Sequence, residues 1–242
     1  MDVKVGRASS MKTIESARIL ATSMIEAASG NGVKTVAVLT EMDAPIGRLI
    51  GNSLEIIETI ETLKGNGPAD LLELTCELGG QLLVSNGNAA NIEQGREMIN
   101  KTFNDGTALA KFRQMMIAQG VDEQTASKVC DYPWKALPIG AKQTPILASK
   151  SGFVSEINGY DIAVVAGQLG AGRATAADKL DFGVGVQLCV HIGEAVVANE
   201  PLFDVYHNKD ISEAQLETLK NTFVIVDSKP AAKSRVLEVI RP

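Results

Sequence analysis

Apolar and polar residues alternate over the first five positions, MDVKV, and the alternation stops at Gly6. This predicts a short strand. Ile14, Ala17, Ala21, Met24, Ile25 and Ala28 then recur at helical spacing, with Thr13 placed as N-cap, Glu15 in the first turn and Gly30 at the end. The Val-rich run VKTVAVLT (33–40) reads as a buried strand, bounded by Gly32 and the turn at Asp43, Ala44 and Pro45. Strand, helix and strand in this order form the unit of a parallel sheet with one covering helix.

Four more helices are predicted. Asn52 precedes Glu55 by three residues, a capping-box-like start to a helix running to Lys64. Pro68 suits the first turn of the next, which carries Leu71, Leu74, Leu78 and Leu82 on one stripe. A weaker helix spans about 89–102, and another, with Leu109, Phe112, Met116 and Ile117, ends at Gly120. The pattern changes after about residue 130. DYPWKALPIGAKQTP has three prolines and no helical period, so it reads as a linker or wrapping loop. Short β-like runs cut by glycines follow: GFVSEI, DIAVVAGQL, VQLCVHI, AVVANEPLFDVY and SRVLEVI, with one helix, ISEAQLETLKNTF, among them. The expected organisation is therefore 1–130, a linker at 131–145, and a β-rich unit at 146–242.

Composition narrows the function. Apolar residues make up 45% and charged residues 21%, the balance of a folded globular chain. Net charge is −6 with acids and bases interspersed, which argues against a nucleic-acid surface. No apolar run approaches the roughly 18–20 residues of a membrane span, and MDVKVGRASS lacks the apolar stretch of a signal peptide. Cys76, Cys130 and Cys189 are far apart and form no C-x-x-C pair. Free thiols in a reducing cytosol are expected.

Several motifs invite chemistry. GQLGAGR (167–173) follows a predicted strand but is not G-x-G-x-x-G, and it reads as a glycine-rich turn between strands. His191 and Cys189 share a predicted strand face, and two residues do not make a metal site. Lys150 lies near a predicted hairpin without the Met-Lys-Met context of a lipoyl or biotinyl carrier. Lys4 falls near the carboxyl end of its strand, where ligands gather in open α/β sheets; a solvent-facing or ion-paired lysine is the equal alternative. Gly47 and Gly51 precede a helix whose first turns carry Glu55 and Glu58. Loop carbonyls and one carboxylate there suit a weakly held alkali cation, or else a surface glutamate near a helix start.

Together these stretches resemble a family. DVKVGRASSMKT resembles the D-V-K-[VF]-G segment of the thymidine and pyrimidine-nucleoside phosphorylases, and TEMDAPIGRLIGNSLEIIETIETLKGNGPADLLELTCELGGQLL resembles the segment that follows it there. TPILASKSGFVSEINGYDIAVVAGQLGAGRA and DFGVGVQLCVHIGEAVVANEPLFDVYHN look like the C-terminal domain of those enzymes, and MMIAQGVDEQTA resembles the animal thymidine phosphorylases. The blocks occur in family order and cover essentially the whole chain.

The resemblance implies an α/β fold: the later part of the nucleoside-phosphorylase α/β domain, followed by a β-rich α/β C-terminal domain. It implies a pentosyltransferase that converts thymidine and phosphate reversibly to thymine and 2-deoxyribose 1-phosphate. Phosphate is the co-substrate and no cofactor is required. Ser10 and Met11 match positions lining the nucleoside pocket, beside Lys4; relatives often carry Phe where Ser10 stands. In bacterial relatives the carbonyls matching Ile46 and Leu49, with the carboxylate matching Glu58, help bind a potassium ion. The family's S-G-R-G and T-G-G-T-x-D phosphate motifs, and its base-gripping Arg, Ser and Lys, are not found in these residues. A fragment or truncated form is therefore expected, with its catalytic residues unassigned and most of the family's dimer interface missing. The alternative is a non-catalytic remnant serving as an interaction or regulatory module.

Overall fold

The computed structural model describes residues 1–173 and 175–242. The strand β1 (Asp2–Val5), helix α1 (Ile14–Gly30) and strand β2 (Ala37–Glu41) form the expected unit, with β1 parallel to β2 and Lys4 opposite Thr40. Thr13 caps α1, its Oγ1 accepting from the Ser16 amide at 3.2 Å. Ala17, Ala21 and Ile25 bury against Val3, Val5 and Leu39, whereas Met24 is 41% exposed. The small alanines let the helix lie close to the sheet, and the larger methionine falls at the edge of that contact. β2 starts four residues later than expected, because the amides of Asn31, Gly32 and Val33 turn back to close α1 on the carbonyls of Ala28 and Ser29.

The strand β3 (Leu49–Ile50) precedes the helices α2 (Asn52–Leu63), α3 (Ala69–Ser85), α4 (Ile92–Asn104) and α5 (Thr107–Ala118). Asn52 is not the cap of α2. Gly51 holds that position with φ +117°, its amide donates to Glu55 Oε1 at 3.0 Å, and the Asn52 side chain instead reaches the Ala171 carbonyl at 2.9 Å. The leucine stripe of α3 is also displaced. Leu74 is buried but Leu82 is 66% exposed, and the inner face carries Glu77, Gly80 and Gln81. That rotation comes from α4, which crosses α3 with Gly95 against Gly80.

A Cβ at Gly95 would lie 2.7 Å from the Gly80 carbonyl oxygen and 2.9 Å from its Cα. Backbone cannot rotate away, so Gly95→Ala should separate the helices. Overpacking of this kind costs about 1–3 kcal/mol, set against a helix-propensity gain of about 1 kcal/mol. A lowered melting temperature is expected. An unchanged or raised one would mean that the crossing tolerates separation.

Two helices were not anticipated: α6 (Glu123–Asp131), capped by Asp122 on the Thr125 amide at 2.9 Å, and the short α7 (Pro133–Ala136) inside the proposed linker. Next come the strands β4 (Lys142–Leu147) and β5 (Gly152–Ile157). DIAVVAGQL is then a helix, not a strand: α8 (Gly159–Ala166) passes into a π-helical turn, Gly167–Ala171. Asn158 caps α8 on the Asp161 amide at 3.3 Å. Its apolar stretch IAVVA is too short and uniform to carry a period that separates strand from helix. GQLGAGR therefore continues a helix, and Gly170, at φ +129°, breaks the helical geometry inside the turn.

The strand β6 (Gly185–Leu188) stops before Cys189, so His191 lies in the following turn and not on a strand. The next run splits into β7 (Ala195–Val196) and β8 (Pro201–His207), with Asn199 between them at φ +69°. The helix α9 (Glu213–Lys220) and the strands β9 (Phe223–Val226) and β10 (Val236–Ile240) complete the chain.

The sheets interlock the two ends of the sequence. One has the order β1-β2-β10, with the last strand antiparallel to β2; another has β3-β6-β8-β4; the third has β7-β5-β9. β10 thus leaves the β-rich part to join the first sheet, and β3 reaches the other way. The main core lies among β4–β9, α8 and α9, around Phe203, Ile157, Ile162 and Leu219.

Candidate functional site

β1 and β2 are parallel, so their carboxyl ends open on one side of the sheet, where the loops 6–13 and 42–48 meet. The first loop is folded on itself. The Gly6 amide donates to the Met11 carbonyl at 2.9 Å, Ser9 Oγ donates to the Lys4 carbonyl at 2.5 Å, and the Met11 amide donates to Ser9 Oγ at 3.2 Å. Gly6 is required there: at φ +139°, a Cβ would lie 2.7 Å from Asp43 Oδ1. The loops are joined by the Arg7 amide, which donates to Asp43 Oδ1 at 2.7 Å, and by the Ala8 amide, which donates to the Met42 carbonyl at 3.1 Å.

The residues singled out from sequence distribute unevenly. Ser10 is exposed, and Met11 is half-buried against the α1 core. The Lys4 ammonium pairs with Asp2 and donates to Thr40 Oγ1 at 3.2 Å. Glu58 is 7% exposed, and the backbone of the second loop wraps its carboxylate. Oε1 accepts from the Arg48 amide at 2.7 Å and from the Leu49 amide at 3.2 Å, while Gly47 at φ +71° passes so close that a Cβ there would overlap Oε2. Burial pushes the Glu58 carboxyl up, against the pull of those two amides. Leu49, in β3, and Glu58, on α2, are thus joined through the Leu49 amide. Lys150 sits in the β4–β5 turn, 3.9 Å from Asp227. Among the described residues no three His, Cys, Asp or Glu side chains group as metal ligands, and no helix is long and apolar enough to cross a membrane.

A cluster that sequence reasoning missed adjoins the second loop. Arg235, just before β10, is 5% exposed and reaches Glu41, Asp70, Ala44 and Pro45. His191 Nε2 lies 3.6 Å from Asp70 Oδ2 and 3.5 Å from Arg235 Nη2. Nearby, Arg48 pairs with Glu194, which accepts from the His191 amide at 2.9 Å. The partners of Arg235 lie 44–194 residues away from it in sequence, and no local motif announces them.

Burial lowers the His191 pKa, with Arg235 adding to that and Asp70 opposing it. Burial raises that of Asp70, but the Gly47 amide and Arg235 outweigh it and hold the carboxyl below its ordinary value. Both folded values are depressed, so both groups contribute stability that is present above their ordinary pKa values, 6.5 and 3.8, and lost as pH falls through the folded ones. Glu58 runs the other way, losing stability as pH rises above 4.5. The His191 contribution should therefore be lost as pH falls below about 6.5, and His191→Gln should flatten that part of the dependence of melting temperature on pH. Equal slopes for the two proteins would remove His191 from the account.

Comparison with known proteins agrees with this architecture. Residues 1–109 match the glycosyl transferase family α/β domain, and residues 153–226 match the pyrimidine nucleoside phosphorylase C-terminal domain. The chain belongs to the pyrimidine-nucleoside phosphorylase family. It is 39% identical over 227 residues to the pyrimidine-nucleoside phosphorylases of Staphylococcus aureus strains USA300 and NCTC 8325, covering 94% of this chain and 51% of each relative. For the bovine strain RF122 the identity is 38%. The chain spans about half the length of these curated relatives. Both family matches stop short of β10, the strand that carries the sequence back to the first sheet.

Proposed function

We propose that these residues serve the reversible phosphorolysis of pyrimidine nucleosides, with thymidine as the preferred substrate. The observation that carries this reading is the continuous similarity to pyrimidine-nucleoside phosphorylases across 94% of the chain. Phosphate oxygen attacks C1′ of the sugar, the C1′–N1 bond breaks, and thymine leaves with the bonding electrons and takes up a proton. Such chemistry needs charge stabilisation of phosphate and of the departing base, and a geometry that excludes water.

The carboxyl edge of β1 and β2 is the place in an open α/β sheet where a ligand binds. We assign the loop at 6–11, with Lys4, Ser10 and Met11, as one wall of the nucleoside pocket. The carbonyls of Ile46 and Leu49 with the Glu58 carboxylate, at the positions that match the family's cation ligands, would offer hard oxygen donors of the kind an alkali cation takes. No hydrogen bond among the described residues engages Glu58 Oε2. A bound cation would neutralise this buried carboxylate and fix the loop around it.

The test is release of thymine from thymidine and of uracil from uridine, with and without phosphate, by a phosphorylase polypeptide that includes these residues. Thymidine should be cleaved faster. Lys4→Ala should lower kcat/KM by about tenfold or more if the ammonium helps to place substrate. A change under about twofold would reduce Lys4 to a partner of Asp2 and Thr40.

A further inference from the structure

The guanidinium of Arg235 is saturated. Nε donates to Asp70 Oδ2 at 3.1 Å, and Nη2 donates to the same oxygen at 2.8 Å and to the Pro45 carbonyl. Nη1 donates to Glu41 and to the Ala44 carbonyl, the latter at 3.2 Å. Five N–H groups thus meet five acceptor contacts, the full capacity of the side chain.

The two carboxylates carry the grip further along the loop. Glu41 Oε1 accepts from the Asp43 amide at 2.6 Å and from the Ala44 amide at 3.1 Å, and Asp70 Oδ2 accepts from the Gly47 amide at 3.1 Å. The turn from Asp43 to Gly47 is therefore tied, directly or through one carboxylate, to a single side chain delivered from the far end of the sequence. The backbone leading into β10 is itself held: the Glu41 amide donates to the Arg235 carbonyl at 2.9 Å, and Ser234 Oγ and the Arg235 amide donate to Glu73 of α3. A charge alone would satisfy Glu41 and Asp70. Reaching the Ala44 and Pro45 carbonyls at the same time requires the planar fork.

We propose that Arg235 is a positioning residue: the fork sets the backbone of the 42–47 loop at the carboxyl edge of β2, so the last strand shapes the edge assigned above to substrate. The link to substrate rests on the reading under Proposed function; the positioning itself is read without substrate.

The test compares the 242-residue chain with its Arg235→Lys and Val239→Ala variants, by melting temperature and by amide hydrogen exchange of peptides covering 42–50, 37–41 and 142–207. Lysine keeps the charge beside Glu41 and Asp70 but loses the fork. Arg235→Lys should melt within a few degrees of the parent while exchange across 42–50 rises at least about tenfold and that of 142–207 stays unchanged. Val239→Ala, which loosens β10 and leaves the fork, should raise exchange in 37–41 and spare 42–50. A merely structural anchor predicts that melting and loop exchange move together. Loop protection retained in Arg235→Lys, or exchange rising evenly along the chain, would overturn the proposal. Absence of thymine release from the longer polypeptide would count against the phosphorolysis reading alone, because the exchange pattern does not depend on it.

Discussion

Purified by themselves, the 242 residues are expected to release no measurable thymine from thymidine, whether or not phosphate is present. Removing one preorganised donor to a developing charge costs an enzyme about 10²–10³ in rate, and positioning of the substrate is lost with the donors. Two sets of contacts are at issue, one for phosphate and one for the base, and the family motifs that supply them are not among these residues. The edge as folded does not replace them. Lys4 pairs with Asp2 and Thr40, Arg7 lies 3.6 Å from Asp43 and 3.4 Å from Glu156, and the Lys12 ammonium donates to the Arg7 carbonyl at 2.8 Å. Each cation of the first loop is already engaged, and Ser10 is an exposed neutral hydroxyl. The measurement is thymine formation at several protein concentrations, with and without phosphate. Phosphate-dependent turnover proportional to the amount of chain, and surviving repeated purification, would show that the edge is sufficient without the missing motifs.

How far the sequence was legible depends on the range of the forces involved. The β1-α1-β2 unit was readable because its signals are local: alternation in MDVKV, the Thr13 cap, and apolar positions three and four apart. α6 is equally local in its signals, since Asp122 caps the Thr125 amide and Ala126, Val129 and Cys130 share its buried face; the proline-rich stretch that follows has no such period and masks its end. DIAVVAGQL is ambiguous because IAVVA is apolar at every position and shows no period of its own; the Asn158 cap, and burial of Ile162, Val165, Ala166 and Leu169 at helical spacing, mark the helix. The arrangement of α3 was beyond local reading. Its buried face is chosen by Gly95 and Arg96 of another helix, so a glutamate goes inside and a leucine stays out. The same limit applies to the site. Gly47 and Glu58 lie eleven residues apart and could be paired on paper, whereas Arg235 meets Asp70 across 165 positions.

The inward glutamate leads to the largest stability effect expected. Glu77 is 2% exposed, and its carboxylate is held by Arg96 Nε at 2.7 Å, by Arg96 Nη2, and by Gln81 Nε2 at 2.8 Å. Breaking a buried pair by removing one partner costs about 3–5 kcal/mol, because the other charge is left without compensation. Here Arg96 is half exposed, so water screens part of the interaction and the loss should lie nearer about 2–3 kcal/mol. For a chain of this size each kcal/mol moves the melting temperature by roughly 2–4 °C. Arg96→Met should therefore lower it by about 4–12 °C. Removing both charges at once should do far less harm, since well-packed apolar residues often replace a buried pair at little cost. Glu77→Met combined with Arg96→Met is expected to recover most of the loss. The remainder, about 1 kcal/mol, reflects the Gln81 amide losing its acceptor, while Gln81 Oε1 keeps its bond from Arg241 at 3.3 Å. Melting curves of the two single variants and the double variant close the cycle. If the double variant melts no higher than Arg96→Met, the glutamate is not the source of the penalty and the α3–α4 contact is held chiefly by the Gly80–Gly95 crossing.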